Sequence, residues 1–264
     1  MIRKFLKKVF NKLTVKNYRD QLLYEQKVTR TVIHHLYEQL FLENPVLVVR
    51  QVKMFLPLFY VDHIQKIIFQ SREFYEIKTL AFLQLHFKQF HHVVDIGSNI
   101  GNHMLYYCSH LSAKTVICFE PNTFNRNTLT KNVSLNYLEK IVTVYPFAVG
   151  AENGKGVQSE FSLGNTGMNR VDKLNTEPIG TSDIIEIRSL DSFNLQQIDF
   201  IKIDVEGFEA DVLQGASATI LRCKPVLMIE VFENSRQQID SLMTGYGYKK
   251  LITLEDYNSI YVSA

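Results

Sequence analysis

The sequence has no tryptophan, only three cysteines among 264 residues, and a formal net charge of only +2. Cys108, Cys118 and Cys223 are too few and too widely spaced to indicate a disulfide framework or a zinc site. Such sparse cysteine use favours a reducing cytoplasm. No apolar run approaches the ~20 residues needed to span a bilayer, and no signal peptide is evident. The near-balanced charge gives no indication of nucleic acid as an obligatory partner.

The sequence does contain a repeated alternation of short apolar runs with helix-compatible stretches. The predicted strands cover residues 93–96, 115–120, 141–149, 200–204 and 226–231, and the helices cover 101–110, 126–135, 207–221 and 235–245. Two further strands are expected at 248–252 and 259–262, around a turn at 256–258. This alternation predicts an α/β fold with a largely parallel, doubly wound sheet.

The N-terminal part follows a different pattern. Residues 1–44 are predicted to be a helical extension, which begins with a basic amphipathic helix over residues 2–13. This helix could contact the inner face of an anionic membrane, or it could pack on its own domain or on a partner with a solvated basic face. Residues 45–90 are expected to form a cap, with a hairpin early in it and a helix over 71–89, before the main domain of residues 91–264.

A glycine loop directly after the first strand of the main domain is the candidate cofactor site. Asp95 is the third residue of that strand, and Gly97 and Gly101 follow with the spacing G-x-x-x-G. Ligands bind beyond the carboxyl ends of parallel strands, at the point where the strand order reverses. The three-glycine fingerprint that cradles a pyrophosphate is absent, which favours S-adenosylmethionine over NAD.

The next two strands offer further cofactor contacts. Glu120 closes the second strand, where a carboxylate can accept hydrogen bonds from both ribose hydroxyls. Ala148 and Val149 end the third strand and would leave room for an adenine ring, although a simple strand–turn explains them equally well. The segment from Gly150 to Asp183 is rich in Gly, Asn, Ser and Thr and is predicted to be a loop that contacts the substrate.

Three carboxylates follow the fourth and fifth strands. Asp204, Glu206 and Glu230 are expected to share one pocket, where like charges raise the pKa of one group and suit it as a base. The same oxygens could instead hold a divalent cation, which is the less favoured alternative. Glu209 is expected to cap the following helix. His103, in the first turn after the glycine loop, is expected to be structural.

These motifs together resemble a known family. The runs VVDIGSNIGNH, CFEPN and FAVG, with Phe74-Tyr75-Glu76 and the acidic run Asp204–Glu209, are similar to the FkbM family of class I methyltransferases. The resemblance implies a Rossmann-like fold with a mainly parallel seven-stranded sheet and a C-terminal antiparallel strand pair. It also implies S-adenosylmethionine as cofactor and S-adenosylhomocysteine as product. The candidate cofactor residues are Tyr75, Asp95, Gly97, Ser98, Asn99, Gly101, Asn102, Glu120, Pro121, Asn122, Ala148 and Val149.

Family members mostly methylate hydroxyl oxygens, so the resemblance implies an O-methyltransferase for a sugar, a glycan or a similar polyhydroxyl molecule. Asp204, Glu206 and Glu230 are its candidate catalytic residues, and no residue is assigned to a metal. A non-catalytic scaffold at a membrane and a nucleotide-dependent oxidoreductase are the alternatives. The acidic loop Asp204–Gly207 disfavours methylation of nucleic acids.

Overall fold

The computed structural model describes residues 19–28, 40–158, 164, 166, 171–173, 184–254 and 257–264. The chain divides into two compact units, Met1–Val46 and Leu47–Ala264. In the first unit, residues 19–28 and 40–43 are helical. The basic amphipathic helix expected over residues 2–13 lies outside the described residues. None of the described helices has the length and apolar character needed to cross a membrane.

The second unit begins with a hairpin and two helices. Strands β1 (Val46–Val49) and β2 (Val52–Phe55) pair with each other and are followed by helices α1 (His63–Ser71) and α2 (Ile77–Phe87). Asp62 caps α1, because its side chain accepts a hydrogen bond from the Gln65 backbone N–H. The hairpin expected from the sequence is present, whereas the single helix expected over 71–89 starts only at Ile77.

A seven-stranded sheet forms the centre of the second unit. Its strands are β3 (His92–Ile96), β4 (Thr115–Phe119), β5 (Val142–Tyr145), β10 (Phe200–Ile203), β11 (Val226–Glu230), β12 (Tyr248–Thr253) and β13 (Asn258–Ser263). Their order is β12-β13-β11-β10-β3-β4-β5. Strands β5, β4, β3, β10 and β11 are parallel, and β13 is antiparallel to β11. The expected Rossmann-like α/β fold, with its C-terminal antiparallel pair, is confirmed.

The central strands form because their side chains are apolar on both faces. Val93, Val94 and Ile96 of β3 and all four residues of β10 are buried, as expected for parallel strands covered by helices on both sides. Asp95 of β3 and Lys202 of β10 are charged exceptions, since they are only 0% and 3% exposed. The strand register places them beside each other.

Five helices accompany these strands: α3 (Asn102–His110), α4 (Thr123–Leu135), α5 (Glu209–Gly215), α6 (Ser217–Cys223) and α7 (Arg236–Gly245). The single helix predicted over 207–221 is wrong, because the helix is interrupted at Ala216. The Asp191 side chain accepts hydrogen bonds from the backbone N–H groups of Ala218 and Thr219, at 2.9 and 2.8 Å. It thereby caps a second helix start.

A smaller sheet leaves the main one after β5. It contains β6 (Ala148–Val149), β7 (Gly154–Gln158), β8 (Val171–Lys173) and β9 (Ile184–Arg188), in the order β6-β9-β7-β8. The third strand predicted over 141–149 is therefore wrong in extent. It ends at Tyr145, and after Pro146, which has no backbone N–H to continue a ladder, residues 148–149 pair with β9 instead. The segment 150–183 also contains β7 and β8, so it is not loop throughout.

Candidate active site

A cleft opens at the carboxyl ends of β3 and β10, where the strand order reverses. It encloses about 910 Å³, counted to its open mouth. The cleft is lined by His63, Ile64, Tyr75, Glu76, Ile96, Gly97, Asn99, Phe119, Glu120, Pro121, Asn125, Phe147, Ala148, Val149, Thr166, Asp204, Val205, Glu206, Phe208 and Glu230. A smaller recess of about 350 Å³ shares its wall and adds Ser98, Ile100, Asn102, His103 and Lys202. This is the position at which open α/β sheets bind ligands.

The glycine loop is pressed against the end of β10. Gly97 has a φ of +76°, and a Cβ at this position would lie 1.8 Å from the carbonyl oxygen of Asp204. Asn99 and Gly101 also adopt left-handed conformations, with φ of +49° and +84°. Because only glycine fits at position 97, the backbones of the two strands can approach closely at the floor of the cleft.

Glu120, which directly follows the neighbouring strand β4, stabilises the same loop by a hydrogen bond. One of its carboxylate oxygens accepts a hydrogen bond from the Asn99 backbone N–H at 2.8 Å, and the other accepts from the Asn122 N–H at 2.9 Å. Burial raises the pKa of Glu120 to about 7, although both N–H donors act in the opposite direction. The carboxylate lines the cleft and can accept further hydrogen bonds there.

Asp95 lies behind the loop, and its side chain has no exposed surface. Among the described residues neither of its oxygens has a hydrogen-bond partner, and Lys202 Nζ is 3.6 Å from its Oδ1. Lys202 Nζ also donates a 2.6 Å hydrogen bond to the Gly97 carbonyl and lies 3.1 Å from Asp204 Oδ2. Burial would lower the pKa of Lys202, but the charges of Asp204 and Asp95 raise it above its usual value.

Several expected cofactor residues use their side chains to hold the protein itself together. Ser98 Oγ donates to the Asp95 carbonyl at 2.7 Å, and the Asn122 side chain caps α4. The Asn102 side chain accepts from the Tyr75 N–H at 3.0 Å and donates to the Tyr75 carbonyl at 3.1 Å. Asn102 therefore fixes the chain at Tyr75 against the start of α3, where Tyr75 lines the cleft.

One wall of the cleft is apolar. Pro121, Ala148 and Val149 all line it, and Phe119, Phe147 and Phe208 extend the same surface. Ala148 and Val149 reach this wall from the smaller sheet, through β6. An aromatic ring of a ligand would find its complementary surface here.

The three carboxylates at the ends of β10 and β11 come together at the cleft. One oxygen each of Asp204, Glu206 and Glu230 lies within 4.8 Å of the other two. Burial alone would raise the pKa of Asp204, but the Lys202 ammonium holds it below its usual value. Burial and the neighbouring Asp204 charge raise the pKa of Glu230 far above its usual value. These opposite shifts favour an ionised Asp204 and a protonated Glu230 as the pair titrates together.

The turn after Asp204 presents Glu206 to the cleft. Glu206 has a φ of +54°, which is unusual for a residue with a side chain. Burial, with the charges of Asp204 and Glu209, raises the pKa of Glu206 to about 7. Glu209 accepts a hydrogen bond from the Gly207 N–H at 2.8 Å and is 1% exposed, so it stabilises the turn before α5.

His103 and Glu76 form a second polar contact beside the carboxylates. His103 Nε2 lies 3.1 Å from Glu76 Oε2, and both side chains are about 90% buried. The other oxygen of Glu76 accepts a 3.0 Å hydrogen bond from the Asn258 side chain. This contact links α3, the start of α2 and β13 at the edge of the recess.

The described part of the long segment between β7 and β9 also reaches the cleft. Asp62 Oδ2 accepts hydrogen bonds from the Thr166 N–H at 2.8 Å and the Thr166 hydroxyl at 2.9 Å. The Asn125 side chain donates to the Thr166 carbonyl at 2.9 Å, and the His63 N–H donates to the Gly164 carbonyl at 3.0 Å. Hydrogen bonds thus hold Thr166 to the N-cap of α1 and to the first turn of α4.

Lys202 and Glu76 are the two charged wall residues that sequence reasoning missed. Lys202 had a detectable signal, because a lysine inside an otherwise apolar buried strand needs a buried anionic partner. Glu76 had a weaker signal. It was part of the Phe74-Tyr75-Glu76 run, but nothing in the sequence placed that run beside β11 and β13.

Comparisons with known proteins identify the family of this chain. The profile of the methyltransferase FkbM domain matches residues 95–250. Hexuronic acid methyltransferase AglP of Haloferax volcanii is 33% identical over 122 residues, which cover 46% of this chain and 48% of that protein. Methyltransferase 1 of Beauveria bassiana is 28% identical over 143 residues, which cover 47% of this chain and 57% of that protein.

The chain spans about half the length of these two curated relatives. A crystal structure of an FkbM methyltransferase from Methylobacillus flagellatus has a TM-score of 0.46 and 21% identity. That superposition covers 65% of this chain and 43% of that one. The profile match includes the glycine loop, Glu120 and the carboxylates after β10 and β11, and it spans more than half of the sequence. The chain therefore belongs to the FkbM methyltransferase domain family.

Proposed function

We propose that the protein is an S-adenosylmethionine-dependent O-methyltransferase that acts on a hydroxyl of a sugar, a glycan or a similar polyhydroxyl molecule. The observation that carries the proposal is the arrangement of one cleft at the strand switch point. The glycine loop and Glu120 line this cleft together with the Asp204, Glu206 and Glu230 carboxylates. A nucleoside-type cofactor and a hydroxyl acceptor would thus meet in one enclosed space.

The residues present fit the proposed cofactor. The floor at Gly97 has no room for a side chain, so the glycine loop packs directly against the end of β10 where both line the cleft. Glu120, already oriented by two backbone N–H groups, would accept the ribose hydroxyls, and the apolar wall with Ala148 and Val149 would cover the base. S-adenosylmethionine supplies a methyl group activated by its sulfonium. Asn99 and Tyr75 border the space between this wall and the carboxylates.

The carboxylates would remove the proton of the acceptor hydroxyl. Asp204 is ionised and has one oxygen on Lys202, so its other oxygen is the candidate proton acceptor. Glu230 holds a proton and can donate a hydrogen bond to Asp204 or to the acceptor. Glu206, with its pKa near 7, is the second candidate base.

A divalent cation is the less favoured alternative for the same oxygens. Their mutual distance of at most 4.8 Å suits a hard cation. However, the Lys202 ammonium already lies against Asp204 and supplies a positive charge there. We therefore expect activity to survive EDTA treatment.

The acceptor class rests on chemistry and on one relative. Clustered carboxylates accept hydrogen bonds from several hydroxyls at once, which suits a polyhydroxyl molecule. The relative from Haloferax volcanii is named as a hexuronic acid methyltransferase, which supports a sugar-type acceptor at 33% identity.

Calorimetric titration with S-adenosylhomocysteine tests the cofactor assignment, and NADH titrated in parallel tests the oxidoreductase alternative. We expect binding of the first and none of the second. A protein that binds neither S-adenosylmethionine nor S-adenosylhomocysteine would not be the proposed enzyme.

Mass spectrometry of glycans from cells with and without the gene would then identify the acceptor by a lost methyl group. Asp204→Asn should abolish the transfer and leave the affinity for S-adenosylhomocysteine within about threefold, because the amide keeps the shape of the side chain but cannot take a proton. Full turnover by this variant would exclude Asp204 as the base. The control Asp240→Asn, on α7, should transfer normally.

A further inference from the structure

We propose that Lys202 is a positioning residue of the transfer site, whose ammonium ties the glycine loop to the Asp204 carboxylate and orients that carboxylate toward the acceptor. The role rests on the proposed methyl transfer. Lys202 is the only lysine or arginine among the described residues that line the cleft and its recess.

The geometry gives this ammonium three partners that lie on both sides of the switch point. Nζ is 2.6 Å from the Gly97 carbonyl oxygen, 3.1 Å from Asp204 Oδ2 and 3.6 Å from Asp95 Oδ1. Asp95 and Gly97 belong to β3 and its loop, whereas Lys202 and Asp204 belong to β10 and the turn after it. One side chain therefore connects the element that would hold the cofactor with the element that would hold the base.

The burial of Lys202 makes these contacts strong. Its side chain is 4% exposed and that of Asp95 is 0% exposed, so solvent screens their interaction little. The Asp204 side chain is 34% exposed, which leaves part of it open to the cleft while Oδ2 is held. A charged group fixed in this way orients the carboxylate before an acceptor arrives.

Other charges also face Asp204. Those on the packed elements are Asp95 from β3, Glu76 and His103 from the starts of α2 and α3, Glu206 from the following turn, Glu209 from the start of α5, and Glu230 from β11. Five of these six groups are carboxylates and would favour a proton on Asp204. Lys202 is the near cation that opposes them, so its removal should move the titration of Asp204 upward.

The experiment measures the titration of Asp204 by carboxyl ¹³C NMR, in complex with S-adenosylhomocysteine. In the wild type we expect Asp204 to remain ionised below its usual range. In Lys202→Met its midpoint should rise by about one pH unit or more, and in Lys202→Arg most of this rise should disappear. Lys250→Met is the control, because it breaks a 2.8 Å ion pair with Asp240 on α7, away from the cleft. An unchanged midpoint in Lys202→Met, or an equal rise in Lys250→Met, would overturn the proposal.

A second measurement covers the case in which Lys202→Met fails to fold. The double variant Lys202→Met/Asp204→Asn removes the ammonium and the Asp204 carboxylate together. The Asp204 charge is therefore not left without its partner, as it would be in Lys202→Met. It should bind S-adenosylhomocysteine about tenfold more weakly than Asp204→Asn alone, because Gly97 loses its donor. Equal affinity of the two variants would also overturn the proposal. Neither measurement uses an acceptor, so a negative result would reject the role of Lys202 without rejecting the proposed methyl transfer. If the wild-type protein did not bind S-adenosylhomocysteine, the proposed function itself would be rejected.

Discussion

Gly97 occupies a position where two backbones nearly touch. A Cβ there would overlap the Asp204 carbonyl oxygen at 1.8 Å, and the φ of +76° already disfavours a side chain. Such an overlap with backbone cannot be relieved by rotating a side chain. The smallest change at this residue therefore moves β3 and β10 apart at the floor of the cleft.

The substitution Gly97→Ala should lower the free energy of unfolding by about 2–4 kcal/mol, through overpacking and backbone strain together. It should also abolish binding of S-adenosylhomocysteine. Urea denaturation and calorimetry measure the two effects. Gly154→Ala is the matched control, because apart from its chain neighbours no heavy atom of the described residues lies within 4 Å of its new Cβ. It should change stability by less than about 0.5 kcal/mol. Similar losses in both variants would contradict the role of the close approach.

At the scale of elements, the described part of the segment between β7 and β9 is held to the rest of the unit by Asp62. Its carboxylate is fully buried, caps α1 through Oδ1 and holds Thr166 through Oδ2. The Asp62 side chain thus stabilises both the start of α1 and Thr166, which lines the cleft. Loss of this carboxylate affects both.

The substitution Asp62→Ala should therefore release the segment that contains Thr166. Limited proteolysis, with fragments mapped by mass spectrometry, should show faster cleavage between β7 and β9, and stability should fall by about 1–3 kcal/mol. Thr166→Val removes only the hydroxyl contact and should have a smaller effect on both. Cleavage at the wild-type rate in Asp62→Ala would show that other contacts hold the segment.

The sequence predicted those elements that depend on a pattern among neighbouring residues. The strands at β3, β4, β10 and β11 are apolar on both faces, and their strand–helix alternation indicated the parallel sheet. The break at Ala216 escaped prediction, because its cap, Asp191, lies far upstream in the chain. The contact between Asp62 and Thr166 joins residues 104 positions apart and has no local signal either.

The same distinction applies to the candidate site. Asp204 and Glu230 could be placed together because they follow neighbouring parallel strands, and Gly97 and Glu120 because they follow β3 and β4. The partner of Lys202 could not be assigned, because all four residues of β10 are buried and the pattern does not distinguish its faces. Ser98 and Asn102 line the recess, whereas Asn122 is the N-cap of α4. The hydrogen bonds of all three to the protein itself could not be predicted, because they depend on backbone geometry.

For the molecule as a whole, buried carboxyl groups make stability depend on pH. The pKa of Glu120 is about 7 in the folded protein, against an ordinary value of 4.5. Between these values the folded state binds more protons than the unfolded state, so stability falls as pH rises from about 4.5 to 7. Asp204 has the opposite shift, and its contribution is lost only below its ordinary value, outside this window.

The fall due to Glu120 should amount to at most about 3 kcal/mol. Urea denaturation of the protein without cofactor, at pH 5 and pH 7.5, measures it. Glu120→Gln should show a clearly smaller difference between the two pH values, with the remainder due to Glu206 and Glu230, whose shifts have the same sign. Glu139→Gln, at an exposed position, should behave as the wild type. An identical pH slope in Glu120→Gln would contradict the assignment.

The hydrogen bond from Lys202 to Gly97 joins residues 105 positions apart, across the parallel pairing of β3 with β10. Contacts of such large sequence separation form late in folding, because a long stretch of chain must first be ordered. An intermediate that holds β3, β4 and β5 but has not yet added β10 would lack the floor of the cleft. A cofactor that binds there would therefore select the completed sheet over its intermediates, and its presence should slow unfolding more than it speeds folding.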